Sequence, residues 1–291
     1  MTMIEQSHSG KNIAKQIVGI AMMVAACTAS SLGSDLPSSP GADKFQVLLQ
    51  RAGEQMSEYV ERFSDVRCSE KVIQEKFKNN GGSNSKDKDR NKDQVVLKEE
   101  SSYDYLVILT NAGGELSLSE SRLPVHEAKA DKKKRSLLVS NGFATLFLVF
   151  HPLYAHSFEF RELEDELVDG QRLTRIAFHH VRGMRSPAAL ALRGREYPLE
   201  LSGTAWMNPD TAALVRISAS IDNTLADVGL NTLQTDVKFA PFPFRDQNKT
   251  YWFPSRAVVE VETPRQHWRN THEFTNYKRF SVSTEEQVIN K

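Results

Sequence analysis

Residues 197–221 read YPLELSGTAWMNPDTAALVRISASI. Tyr197, Leu199, Leu201 and Ala205 fall on one face of an extended strand, and Asn208-Pro209-Asp210 turns the chain. Ala213, Val215, Ile217, Ala219 and Ile221 then share the next face, with Arg216, Ser218 and Ser220 between them. A period of two on both sides of a polar turn is the mark of paired, half-buried strands. The pattern continues outward. Leu233, Val237 and Phe239 alternate with Gln234, Asp236 and Lys238 until Pro241 and Pro243 break the run. Tyr251–Glu262 follows, read as an edge strand because of Pro254, and then Trp268–Val282. In the other direction lie Leu173–Arg182, an Asp169-Gly170 hairpin turn that accepts positive φ, and a strand opened by Phe158 and Phe160. Further strands are expected over 64–77, over 94–110, and over 115–122 after a Gly113-Gly114 turn.

A helical period appears once with clarity. Phe45, Leu48, Leu49, Ala52, Met56, Tyr59, Val60 and Phe63 recur every three or four residues over 44–63, with Asp43 placed to cap the first turn. Residues 137–150 are the most apolar stretch after the N-terminal segment, which suits either a buried helix turn or a core strand. Residues 78–93 and 126–135 are polar and charged, as loops are. The sum, about nine or ten strands and one helix, is an α+β protein built on a single antiparallel sheet. A sheet that long must curl. The expected architecture is a half-barrel with the N-terminal helix against its concave face, enclosing an apolar cavity. Tyr105, Val107, Trp206, Val215, Ile217, Phe239 and Val259 are the candidate residues of that concavity.

The N-terminus carries a different message. Lys11 and Lys15 precede Ile17–Ala26, 10 uncharged residues. That is too short for a membrane span, which needs about 20 apolar residues, and the right length for the core of a secretory signal. Val24-Ala25-Ala26-Cys27 resembles the bacterial lipobox, which implies cleavage before Cys27 and a diacylglycerol on its sulfur. Ordinary cleavage near Ala29 and an uncleaved anchor are the alternatives. Thr28 follows the cysteine, so nothing there suggests inner-membrane retention. The expected organisation is a signal peptide over 1–26, a Ser-, Gly- and Pro-rich tether over 27–42 and the half-barrel over 43–291, carried by the protein as an exported, membrane-anchored chain in a bacterial periplasm.

Only Cys68 is left beyond Cys27, so no intramolecular disulfide is open to the mature chain, and Cys68 reads as a small buried core residue. The chain has 37 basic and 37 acidic residues, and no basic excess points to nucleic acid.

Two segments resemble a known group. Leu201-Ser202-Gly203-Thr204-Ala205-Trp206-Met207-Asn208-Pro209-Asp210-Thr211 with Val215-Arg216-Ile217 is similar to a strand–turn–strand hairpin of the periplasmic outer-membrane lipoprotein carriers, lipoprotein-insertion proteins and sigma-factor regulatory sensors. Phe274-Thr275-Asn276-Tyr277-Lys278-Arg279-Phe280 is similar to the closing strand of exported relatives. The resemblance implies an unclosed barrel whose apolar cavity holds lipid, acyl chain or lipoprotein, with no cofactor. It carries no binding residue over, because no position-specific binding motif is matched.

Other chemistry finds thin support. His179 and His180 alternate across a strand and cannot share a metal, and His267 and His272 also fall on opposite faces. His151 and His156 flank a proline turn near Glu159 and are the remaining metal candidates. Glu162, Glu164, Asp165, Glu166 and Asp169 form an acidic hairpin without a calcium-loop pattern. Lys132-Lys133-Lys134-Arg135 could face anionic headgroups or simply water. No G-x-S-x-G, H-E-x-x-H or phosphate loop is present. The readings are, in order, a non-enzymatic envelope protein that binds a lipid, acyl chain or lipoprotein, an envelope interaction or sensor module, and a hydrolase with a dispersed site.

Overall fold

A computed structural model describes residues 40–63, 66–78, 94–112, 115–125, 143–192, 195–222, 229–244 and 249–279. The signal peptide, Cys27, the tether up to residue 39, the Gly113-Gly114 turn, residues 79–93 and 126–135, and the end of the last expected strand lie outside them.

The chain begins with helix α1 (Pro40–Phe63), followed by β1 (Val66–Phe77), β2 (Val95–Ala112) and β3 (Glu115–Pro124). A 3-10 helix (Phe143–Phe150) and a short α2 (Pro152–Ala155) come next. The remaining strands are β4 (Phe158–Val168), β5 (Gln171–His180), β6 (Ala189–Leu192), β7 (Arg195–Pro198), β8 (Leu201–Met207), β9 (Leu214–Ile221), β10 (Thr232–Phe244), β11 (Lys249–Glu262) and β12 (His267–Arg279). Ten of them form one antiparallel sheet in the order β3-β2-β1-β12-β11-β10-β9-β8-β5-β4, and β6 and β7 form a separate pair. The expected α+β class, with one large unclosed sheet and an N-terminal helix, is the observed one.

The edge strands β3 and β4 are consecutive strands in the chain. The segment between them includes the 3-10 helix, whose FATLFLVF sequence is apolar all round. Phe147, Leu148, Val149 and Phe150 are each at most 2% exposed. The helix packs against α1, β3, β9 and β11, so of the two readings of this stretch the buried helix turn is realised. Leu48, Ala52, Met56, Tyr59 and Val60 of α1 join the same core. The Asp169-Gly170 turn has both residues at positive φ (50° and 80°), the geometry of a two-residue hairpin whose twist matches its strands.

Several local expectations are corrected. Asp43 sits within the first turn of α1 rather than ahead of it, since the helix starts at Pro40. Tyr197 belongs to β7, in the small β6–β7 pair, and is not continuous with Leu201. Pro198 ends that strand, and the Leu199 N–H turns to the Ala188 carbonyl (2.9 Å). Pro241 and Pro243 do not stop β10, which pairs with β11 as far as Phe244. Strand β9 pairs only with Gln234–Lys238, so among the described residues one edge of β10 is open beyond that point and tolerates missing donors. Strand β11 is internal, not an edge. Lys238 pairs with Arg256 and Phe239 with Pro254, so Ser255 is an extra residue and Pro254 sits at a bulge, beyond the residues that pair with β12.

Gly203 shows how closely β8 is approached by β9 and the Phe178 ring. A Cβ there would lie 2.0 Å from the Ser218 carbonyl oxygen and 2.7 Å from the Phe178 ring. Gly203→Ala is expected to destabilise the protein by at least the 1–3 kcal/mol, roughly, of an overpacked core. Urea unfolding checks this: the midpoint should fall while the slope stays constant.

Candidate functional site

The 208–213 connection is built to hold α1. Asn208 Oδ1 accepts from the N–H groups of Asp210 and Thr211, both at 2.9 Å, and Ala212 takes a positive φ of 56°. The Asp210 and Thr211 carbonyls then accept hydrogen bonds from the Arg51 guanidinium and the Gln55 amide of α1. Beside this latch lies a cleft of about 430 Å³. Its inner wall is Met56 and Tyr59 of α1, Phe147 of the 3-10 helix, Leu214 of β9, Phe239 of β10 and Tyr251 of β11. Tyr59 meets Phe147 edge-on at 4.5 Å, and burial pushes its phenol well above the usual tyrosine range. Thr211 and Thr250 are exposed and Gln55 and Glu58 half-buried, so the polar groups stand toward the mouth and the aromatic ones form the floor.

Of the seven residues expected to line a concave cavity, Phe239 lines this cleft. Tyr105, Val107, Ile217 and Val259 are buried in the packed core, and Val215 is half-buried. Trp206 lies between Ala205 and Met207, which face the core, and points the other way. Its indole N–H donates to Glu166 at 2.9 Å, and the Arg216 guanidinium lies 4.5 Å from its ring centre. The structure therefore gathers the cleft from a different set. The sequence offered Met56 and Tyr59 only as members of a helical stripe, and nothing marked Tyr251 and Trp252 apart from other strand residues.

A second feature, unforeseen in the sequence, is a buried charge cluster across β1, β3 and β12. Arg122 donates to Glu70 from Nε (2.6 Å) and Nη2 (2.9 Å), and to Glu120 at 2.9 Å. His272 Nδ1 lies 2.7 Å from Glu70 Oε1, the oxygen that also takes Arg122 Nη2; the carboxylate can only accept, so the proton sits on the nitrogen. The Glu70 side chain is fully buried. Burial alone would raise its pKa, but hydrogen bonds from His272 and Arg122 outweigh that and hold it below the usual glutamate value. Burial works against the Arg122 charge, and the Glu70 hydrogen bond and the Glu120 carboxylate more than restore it. Every partner is engaged, so this is a clamp rather than a reactive site.

The remaining candidates are placed simply. His179 is exposed and His180 buried, on opposite faces. His267 lies 2.6 Å from Glu260, on the face opposite His272. His151 Nδ1 accepts from the Leu153 N–H at 3.2 Å and caps α2, while His156 is exposed. Among the described residues, no three His, Cys, Asp or Glu side chains are gathered for a metal. Glu162, Glu164, Asp165 and Asp169 are exposed. Cys68 is buried, and burial pushes its thiol up to about 12.

No family model matches the chain, and no curated protein does. Similar solved structures include a putative outer membrane lipoprotein-sorting protein domain from Vibrio parahaemolyticus, at 10% identity and a TM-score of 0.37 over 81% of this chain and 94% of that one. A DUF1329 family protein from Desulfovibrio piger is similar at 13% identity and a TM-score of 0.38, over 82% and 94%. The Pseudomonas aeruginosa MucA/MucB complex is similar at 8% and 0.20, over 79% and 99%. With every TM-score below 0.5, the likenesses say nothing of what this chain binds.

The depressed Glu70 pKa has a stability consequence. The unfolded carboxyl takes up its proton near pH 4.3, roughly, and the folded one only at lower pH. The stability contributed by Glu70 is therefore present above that point and lost as pH falls through the folded value. Glu70→Gln is expected to cost about 3–5 kcal/mol at neutral pH, the effect of breaking one partner out of a buried ion cluster. In denaturant titrations at descending pH, the gap between wild type and variant should narrow in acid.

Proposed function

We propose that this chain is an exported cell-envelope protein that binds one apolar chain, from a lipid, an acyl group or a lipoprotein, without catalysing a reaction on it. The observation that carries this reading is the cleft between α1 and β10–β11. Its floor of Met56, Tyr59, Phe147, Leu214, Phe239 and Tyr251 offers apolar contact with few polar groups, and its volume falls in the range of small-molecule sites, about 300–1,000 Å³. The signal-like N-terminus and the resemblance of residues 201–217 support the compartment and the ligand class. A Cys27-linked lipid would hold the protein at the membrane from which such a ligand comes.

The test is native mass spectrometry of protein gently extracted from membranes. A lipid-sized adduct is expected on wild type and not on Thr250→Trp, which sets an indole at the cleft mouth. Wild type with no adduct, or equal adducts on both, overturns the reading. Anchoring is checked separately: a fatty-acid analogue should label the wild type and not Cys27→Ser, and equal labelling removes the anchor.

A second reading, an envelope interaction or sensor module, draws on one observation. Strand β3 ends opposite Tyr103, while β2 extends back to Val95. Val95, Val96 and Leu97 are 41%, 53% and 38% exposed there. A partner strand could add to that edge. A stoichiometric protein partner, lost when Val96 is replaced by Pro, would favour this reading over the first.

A further inference from the structure

We infer that the open edge of β2 takes an extended protein segment with a basic residue opposite Glu99 and an apolar residue opposite Leu97. The inference rests on the second reading above and names the chemistry of its partner. The Val125 N–H donates to the Ser102 carbonyl at 3.3 Å, where β3 leaves β2. Alternate residues of a strand turn their backbone groups to the same side. Glu100 and Lys98 therefore present N–H and C=O groups on the side where, among the described residues, no strand continues. By contrast, the open part of β10 is blocked by Pro241 and Pro243, and the edge strand β4 is broken by a register shift between Leu163 and Glu166. Over 97–102, β2 has no proline and keeps one register with β1. Charge then sets the guest. Lys98 pairs with Glu75 at 3.8 Å and Glu100 with Lys71 at 3.1 Å, so both are answered within the sheet. Glu99 points to the other face, half-buried opposite Gln74, and among the described residues no basic group pairs with it. Directly opposite residues of neighbouring strands share a face, and opposite charges there attract. A strand that takes up the line of β3 runs antiparallel to β2, from Glu100 toward Leu97. Its basic residue thus comes two positions before the apolar one that covers Leu97, which is 38% exposed on the same face.

The probes are the heptapeptide acetyl-Thr-Thr-Lys-Thr-Val-Thr-Thr-amide and its counterparts with Gln or Glu in place of Lys. Each is titrated into the protein while the Lys98 and Glu100 amides are followed by NMR. Wild type should bind the Lys peptide up to about fivefold more tightly than the Gln peptide, the worth of one cross-strand charge pair, and the Glu peptide most weakly. Glu99→Gln should level the three, and Glu99→Lys should invert their order. Methylating the peptide's backbone nitrogens on either side of its lysine should abolish binding, since those N–H groups would meet Glu100 and Lys98. Lys98→Pro should do the same at a nearly unchanged unfolding midpoint, because that nitrogen faces away from β1. Equal binding of all three peptides by wild type, or an order that both Glu99 variants leave unchanged, overturns the inference and leaves the edge a docking strand. Binding of none of them, or equal binding of the methylated peptide, overturns the edge reading and this inference together. A dimer of wild type that Lys98→Pro separates assigns the edge to a second copy and also overturns the inference.

Discussion

A curled sheet of ten strands has an apolar hollow that water cannot be allowed to fill. Everything else in this structure follows from how that hollow is closed. The chain closes it with its own passage from one sheet edge to the other. Strand β3 ends at one edge, the 3-10 helix of Phe143–Phe150 runs buried, and β4 begins at the opposite edge. Helix α1 covers the rest with Leu48, Ala52, Met56, Tyr59 and Val60. The apolar stretch is thus an internal plug, and the open cleft is what the plug and the helix leave uncovered.

The inner face of the sheet is finished differently at two places. Near β1 and β12 the sheet buries Glu70, Arg122, Glu120 and His272, and satisfies them with short hydrogen bonds. Near β10 and β11 it buries rings and leaves space. Charge with full pairing gives geometric definition but no room for a guest. Aromatic walls, bounded by a helix whose Arg51 and Gln55 side chains hold the 208–213 connection, leave room.

Much of this was legible in the chain. The alternation of Ile217, Ala219 and Ile221 and of Leu233, Val237 and Phe239, the Asp169-Gly170 turn and the stripe of α1 each arise from interactions within a few residues and are where their spacing put them, whereas the run through Tyr197 is split between β7 and β8 and Val215 falls at a register shift. What was not legible depends on distant neighbours. Residues 143–150 are apolar in every direction and so carry no period to separate helix from strand. Pro241, Pro243 and Pro254 look like strand breakers until an open edge and the bulge at Ser255 make their missing donors harmless. Glu70 meets Arg122 and His272 across 52 and 202 residues, a separation no local pattern records. The cleft draws its walls from α1, the 3-10 helix, β9, β10 and β11, and of the expected residues only Phe239 belongs to it.

The pairing of β1 with β12, from Val66 with Arg279 to Phe77 with His267, bears on how the molecule is made. A chain made from its N-terminus presents β1, β2 and β3 early and β12 last. Until β12 arrives, β1 has one neighbour, Glu70 lacks its imidazole, and twelve residues of strand edge stand open. Contacts so far apart in sequence form slowly, and an open edge invites pairing with other chains. Assembly of this sheet is therefore governed by the arrival of its final strand, and its most vulnerable interval is the time between the formation of its first strand and its last.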